Sequence, residues 1–74
     1  MILHRGKAIY PLPSAKSFQS PKIGEMELAR ATNAYMDDLL RGDRFYGYPV
    51  FFSVTADAFR VWPIPGRLFE VTFQ

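Results

Sequence analysis

The residues of this sequence that could do chemistry are few and widely spaced. His4 is the single histidine and stands beside Arg5 near the start of the chain. A general base needs a positioned partner, and no spacing here supplies one. Of the carboxylates, Glu27, Asp37 and Asp38 fall on what reads as the solvated side of a helix, a solubilising face rather than an acid–base pair. There is no cysteine, which excludes a disulfide framework, a thiol nucleophile and a Cys-containing zinc site. No metal-ligand cluster, glycine-rich phosphate loop or nucleophile elbow is present. The reading is a non-enzyme that needs no metal and no cofactor.

The sequence is rich instead in rings. Seven of its twelve aromatic residues lie between Arg44 and Ile64, namely Phe45, Tyr46, Tyr48, Phe51, Phe52, Phe59 and Trp62. This stretch reads as two strands, Val50–Thr55 and Ala58–Ile64, joined by a tight turn at Ala56-Asp57, with Phe45-Tyr46 as a lead-in. Arg67–Phe73 reads as a last strand, and with no helix between the three they are expected to form an antiparallel meander. Before them, residues 2–12 read as a strand, or as two short arms bending at Arg5-Gly6, and a proline-stiffened connector follows with Phe18 as its core plug. Ser20-Pro21 has the form of a helix start. The spacing predicts a helix from about Pro21 to Arg41, its true start lying nearer Glu25 because Gly24 weakens the first turns, with Gly42 as a left-handed cap. The expected fold is α+β: two layers, one helix packed on an antiparallel sheet, in the order β-α-β-β-β.

Alternation assigns the faces of these strands. Val50, Phe52, Val54, Phe59, Val61, Phe69, Val71 and Phe73 are expected to meet the helix. The opposite face then carries Phe51, Trp62 and Leu68 with Arg60 among them, unless the N-terminal segment or the proline loop covers it. Aromatic and arginine side chains are enriched at interface centres. Phe51, Arg60, Trp62 and Leu68, with Arg44, Tyr46, Tyr48 and Arg67, are the candidate binding residues.

Composition sets the limits. Seventy-four residues make one small domain, 49 % hydrophobic and 16 % aromatic. A core of large side chains, each worth roughly 1.5–3 kcal/mol when buried, narrowly offsets chain entropy at this size. The net charge is only +2, less than a committed duplex-DNA binder displays. No apolar run reaches the roughly 18 residues that span a bilayer, and the start lacks the order of a signal peptide. The expectation is a cytoplasmic protein with no membrane contact, a monomer or weak dimer.

Two resemblances bear on function. Arg44-Phe45-Tyr46-Gly47-Tyr48-Pro49-Val50-Phe51 resembles the strand motif of RNA-recognition domains, with Arg44, Tyr46, Gly47 and Phe51 at matching positions. Phe45 replaces that motif's glycine and Pro49 its valine, and the second helix of the family's βαββαβ order is missing. The expected meander is similar to the one that ends small RNA-cleaving toxins of the ribosome-dependent type, with Tyr48–Val54, Phe59–Trp62 and Arg67 in the corresponding parts. That resemblance implies RNA cleavage, but the chain has one helix where those toxins usually have two. Membership is assigned in neither family. The leading expectation is a small protein-binding module, an inhibitor or adaptor of the kind phages and other mobile elements carry, by analogy of size and composition. It would dock on a larger host protein or nucleoprotein machine. Single-stranded nucleic acid, stacked on the exposed rings, is the second partner class, and a toxin-like RNA-cleaving protein is the third reading.

Overall fold

Residues 21–30 decide how the first half of the chain is built. In the computed structural model, which describes residues 1–13 and 20–73, Gly24 has a left-handed φ of +60°. It occupies the first position of a two-residue turn that pairs Ile23 with Met26. A positive φ at that position is the mark of a hairpin turn suited to the twist of two strands. The expected helix therefore does not begin at Pro21. Lys22–Ile23 (β3) and Met26–Glu27 (β4) form a hairpin, and Ala29–Arg30 (β5) follows as a third strand. The helix α1 is confined to Asn33–Arg41, capped by Thr32, whose hydroxyl accepts from the Tyr35 amide at 3.1 Å. It ends at Gly42 as expected, but Gly42 is extended at φ −73° rather than left-handed.

The remaining strands are Ile2–Leu3 (β1), Ile9–Pro11 (β2), Tyr46–Gly47 (β6), Phe51–Val54 (β7), Ala58–Trp62 (β8), Ile64–Pro65 (β9) and Phe69–Thr72 (β10). They form three sheets among the described residues: β1-β10-β3-β4, β2-β8-β7-β5 and the pair β6-β9. The fold is a small α+β domain with mixed sheets, not one antiparallel sheet under one helix, and five strands precede the helix where one was expected. Strands β5 and β6 run parallel to β7 and β9.

The bend at Arg5-Gly6 separates β1 from β2 as the sequence suggests. The meander is half right. β7 and β8 pair antiparallel, but β10 leaves β8 and joins β1 and β3 in the other sheet. Pro63 and Pro65 flank this departure, and a proline has no N–H with which to continue a ladder. Phe18 lies outside the described residues.

The alternation separates most buried from outward positions, but Val50, expected among the buried residues, is exposed, and the partner of the face differs. Phe52, Phe59, Val61, Phe69 and Val71 are buried together with Leu3, Tyr10, Ile23 and Leu28, so the two larger sheets share one core. Phe52 and Phe59 stack at 5.7 Å between ring centroids, and Phe73 meets Phe59 edge-on. The helix packs on the other side of β7 and β8, the face expected to be free. Met36 is its fully buried residue, while Leu39 is only half-buried. That face of β7 and β8 offers the helix Arg60, which reaches Asp37 and Asn33, and the Phe51 ring, which Tyr35 meets edge-on.

The turn at Arg5-Gly6 is wrapped around the Tyr10 hydroxyl. It accepts from the His4 amide at 2.8 Å and reaches the carbonyls of Lys7 and His4. Burial pushes the phenol above the ordinary tyrosine value, partly opposed by the His4 backbone contact.

Two outcomes follow for stability. Met36→Ala should lower unfolding free energy in urea by about 2–5 kcal/mol, as for a buried methionine. The Tyr10 contribution is complete below the unfolded tyrosine value of about pH 10 and is lost as pH rises through the raised folded value. The wild type should therefore lose stability relative to Tyr10→Phe on alkaline titration, and parallel profiles would contradict the buried phenol.

Candidate functional site

The site rests on the ladder between β7 and β8, which sets Phe51 opposite Trp62 and Ser53 opposite Arg60. Both pairs point away from the shared core. The helix covers the second pair. The Arg60 side chain is only 11 % exposed. Its Nε donates to the Ser53 hydroxyl at 3.1 Å, Nη1 donates to the Asp37 carboxylate, and Nη2 reaches the carbonyl and side-chain oxygens of Asn33, both at 3.3 Å. Every direction of the guanidinium fork is engaged by sheet or helix, so Arg60 holds the helix in place rather than offering a free cation. Neither the N-terminal segment nor the proline loop is needed to cover this part of the face.

The first pair remains accessible. Phe51 and Trp62 are partly buried and their rings lie 6.4 Å apart. Tyr35, from the first turn of the helix, meets Phe51 edge-on at 5.9 Å. Phe45 stacks on Trp62 at 5.6 Å with an interplanar angle of 25°. The four rings make a continuous ribbon, Tyr35–Phe51–Trp62–Phe45, whose outer members are 50 % and 57 % exposed. Phe45 is held there because its carbonyl accepts from the Ile64 amide at 2.9 Å at the start of the β6-β9 pair. Pairwise ring contacts of this kind are worth about 0.5–1.5 kcal/mol beyond their area, enough to hold half-exposed rings in fixed positions.

The other expected binding residues fall into two further neighbourhoods. Arg44 lies over the Tyr46 ring at 5.5 Å, donates from Nε to the Tyr46 hydroxyl at 2.7 Å and from Nη2 to the Gly6 carbonyl at 3.3 Å. Tyr48 and Arg67 meet at Phe69: Tyr48 edge-on at 4.9 Å, with its hydroxyl donating to the Ile23 carbonyl, and Arg67 over the ring at 4.4 Å. Leu68 projects beside them and is 58 % exposed. The eight residues thus do not form one surface. Tyr35 and Phe45 complete the ribbon and were not among them. Tyr35 reaches Phe51 from the helix, a contact that no spacing in the sequence announces.

His4 is exposed on the rim of an open cleft of about 700 Å³, lined also by Met1, Ile2, Lys7, Tyr10 and Phe73. Among the described residues no three His, Asp or Glu side chains gather in a group that could hold a metal ion. No described helix is long and apolar enough to cross a membrane. Comparisons with protein families, curated proteins and solved structures found no match.

The structural role of Arg60 is open to test. Arg60→Ala strands the fully buried Ser53 hydroxyl without its partner, which should cost about 1–3 kcal/mol in urea unfolding. Arg41→Ala, which removes only the exposed pair with Asp38, should cost about 0–1 kcal/mol. Equal effects would remove the assignment of Arg60 as the helix anchor.

Proposed function

We propose that this chain is a non-enzymatic protein-binding module, an inhibitor or adaptor, and that it docks on a larger protein through the ribbon Tyr35–Phe51–Trp62–Phe45. The observation that carries this reading is a run of four touching rings whose ends are half exposed while its middle is seated in a ladder. Rigid aromatic side chains lose little conformational freedom on binding and dominate interface energetics. Scattered exposed apolar residues are ordinary on small proteins, whereas a contiguous fixed row is a feature of interaction surfaces. In sequence Tyr35 is followed two and three residues on by Asp37 and Asp38 on the helix, and Phe45 is preceded by Arg44, so charges of both signs adjoin the ends of the run; Arg44 itself is turned toward Tyr46 and Gly6. The fitting partner surface is an apolar groove with mixed charge at its edges.

Affinity capture from host lysate, with and without nuclease, identifies a partner, and titration of that purified partner tests the ribbon. Tyr35→Ala and Phe45→Ala should each weaken binding by about 2 kcal/mol or more, as interface anchors do, which exceeds the about 0.5–1.5 kcal/mol of folding stability lost with the ring contact. Met26→Ala serves as the control, since Met26 is 40 % exposed on β4, in the other four-stranded sheet. Equal binding by ribbon and control variants would sink the proposal. Capture that disappears with nuclease would transfer the surface to nucleic acid.

A further inference from the structure

A second surface, separate from the ribbon, has the chemistry of an anion site. Two adjoining hollows meet at Gly6. One, of about 510 Å³, is lined by Arg5, Gly6, Tyr46 and Gly66. The other, of about 260 Å³, shares Gly6 and is bordered by Arg44, Leu40 and Ile64. Arg44 stands at their boundary, since its two anchoring bonds go to the Tyr46 hydroxyl and the Gly6 carbonyl. Its Nη1 makes no hydrogen bond to any described residue, and Arg5 makes neither a hydrogen bond nor an ion pair among them. No carboxylate lines either hollow. The groove therefore joins two arginines without acidic partners, one of them already immobilised, to a half-exposed tyrosine ring and a wall made of backbone. Gly6 is required for that wall: its φ of +78° is a left-handed conformation, and no atom lies within 4 Å of where a Cβ would project.

We propose that this groove binds a phosphorylated nucleoside, free or as a unit of a single strand, with its phosphate between Arg5 and Arg44 and its base stacked on Tyr46. Arginine suits phosphate because its planar fork donates in pairs and carries its charge at all working pH values. Tyrosine suits a base because stacking needs only an accessible ring face and tolerates every base. The first hollow falls within the roughly 300–1,000 Å³ range of small-molecule sites. An inorganic anion alone would leave the ring unused, and a neutral aromatic alone would leave the two guanidinium groups unused. The inference does not depend on the protein-docking reading, because none of the four ribbon rings lines the groove.

The glycines provide the measurement. Gly6, Gly47 and Gly66 surround the groove, while Gly24 lies in the β3-β4 turn. In amide-resolved NMR of the full chain, adenosine monophosphate should shift the first three and leave Gly24 unmoved, with a Kd of about 1 mM or tighter. Arg5→Gln should weaken this by about tenfold or more, or about 1.4 kcal/mol. Tyr46→Leu should weaken the nucleotide relative to Tyr46→Phe, which keeps the ring, while the two variants, both lacking the hydroxyl that anchors Arg44, should respond alike to inorganic phosphate. A short oligoadenylate binding more tightly than the mononucleotide, with a steep loss on adding salt, assigns the phosphate to a strand; equal affinities assign it to a free nucleotide. Adenosine or inorganic phosphate binding as tightly as adenosine monophosphate would overturn the proposal, as would a shift at Gly24 of the same size, or no shift at all.

Discussion

The register between β7 and β8 sets Phe51 against Trp62, Phe52 against Val61, Ser53 against Arg60 and Val54 against Phe59. Side chains alternate along a strand, so a slip of one residue would carry each of these to the wrong face. In the observed register Phe52, Val61 and Phe59 enter the core shared by the two larger sheets. Ser53 and Arg60 then meet the helix, and Phe51 and Trp62 are left beside it as the centre of the aromatic ribbon. Core, helix attachment and candidate surface are three results of one pairing.

Arg60 shows how a charge can serve architecture in a chain with little net charge. Its side chain is almost withdrawn from solvent, with Asp37, Asn33 and Ser53 taking its donors. A partly buried arginine is tolerated when its fork is fully hydrogen-bonded and becomes destabilising when a partner is removed. The arrangement requires the helix to sit where Asp37 and Asn33 face the sheet, which fixes its rotation. It also takes one arginine out of the set that could meet a ligand and leaves the cations around Gly6 as a more localised group.

Much of the hairpin was legible from alternation alone. Val50–Thr55 and Ala58–Ile64 contain β7 and β8, the buried positions other than the exposed Val50 were separated from the outward ones, and the break at Arg5-Gly6 and the helix end at Gly42 followed from local rules. What was not legible has specific causes. Leu28, Ala31 and Thr32 continue the apolar period of the true helix backwards, so a strand segment imitated a helical face; the Gly24-Glu25 turn was the signal that it was not one. Pro63 and Pro65 announced the end of a strand but not that the next one would join a different sheet. The side taken by the helix was undetermined, because Phe51 and Trp62 are as apolar as the residues behind them. For the candidate site, residue types pointed to Phe51 and Trp62, which are the middle members of the ring run. Their neighbours Tyr35 and Phe45 come from elements whose packing no local pattern encodes.

The pairing of β1 with β10 has a kinetic consequence. Ile2 lies opposite Glu70, so one sheet closes only when segments from opposite ends of the sequence meet. The entropy of closing such a loop is spent before its contacts are gained, and domains rich in distant pairings fold in about milliseconds to seconds rather than microseconds. The β7-β8 hairpin, joined by a short turn, can assemble first and present Phe52 and Phe59 as a template on which the end strands later settle. Until they do, that apolar face is uncovered, and the interval before closure is when the chain is most exposed to self-association.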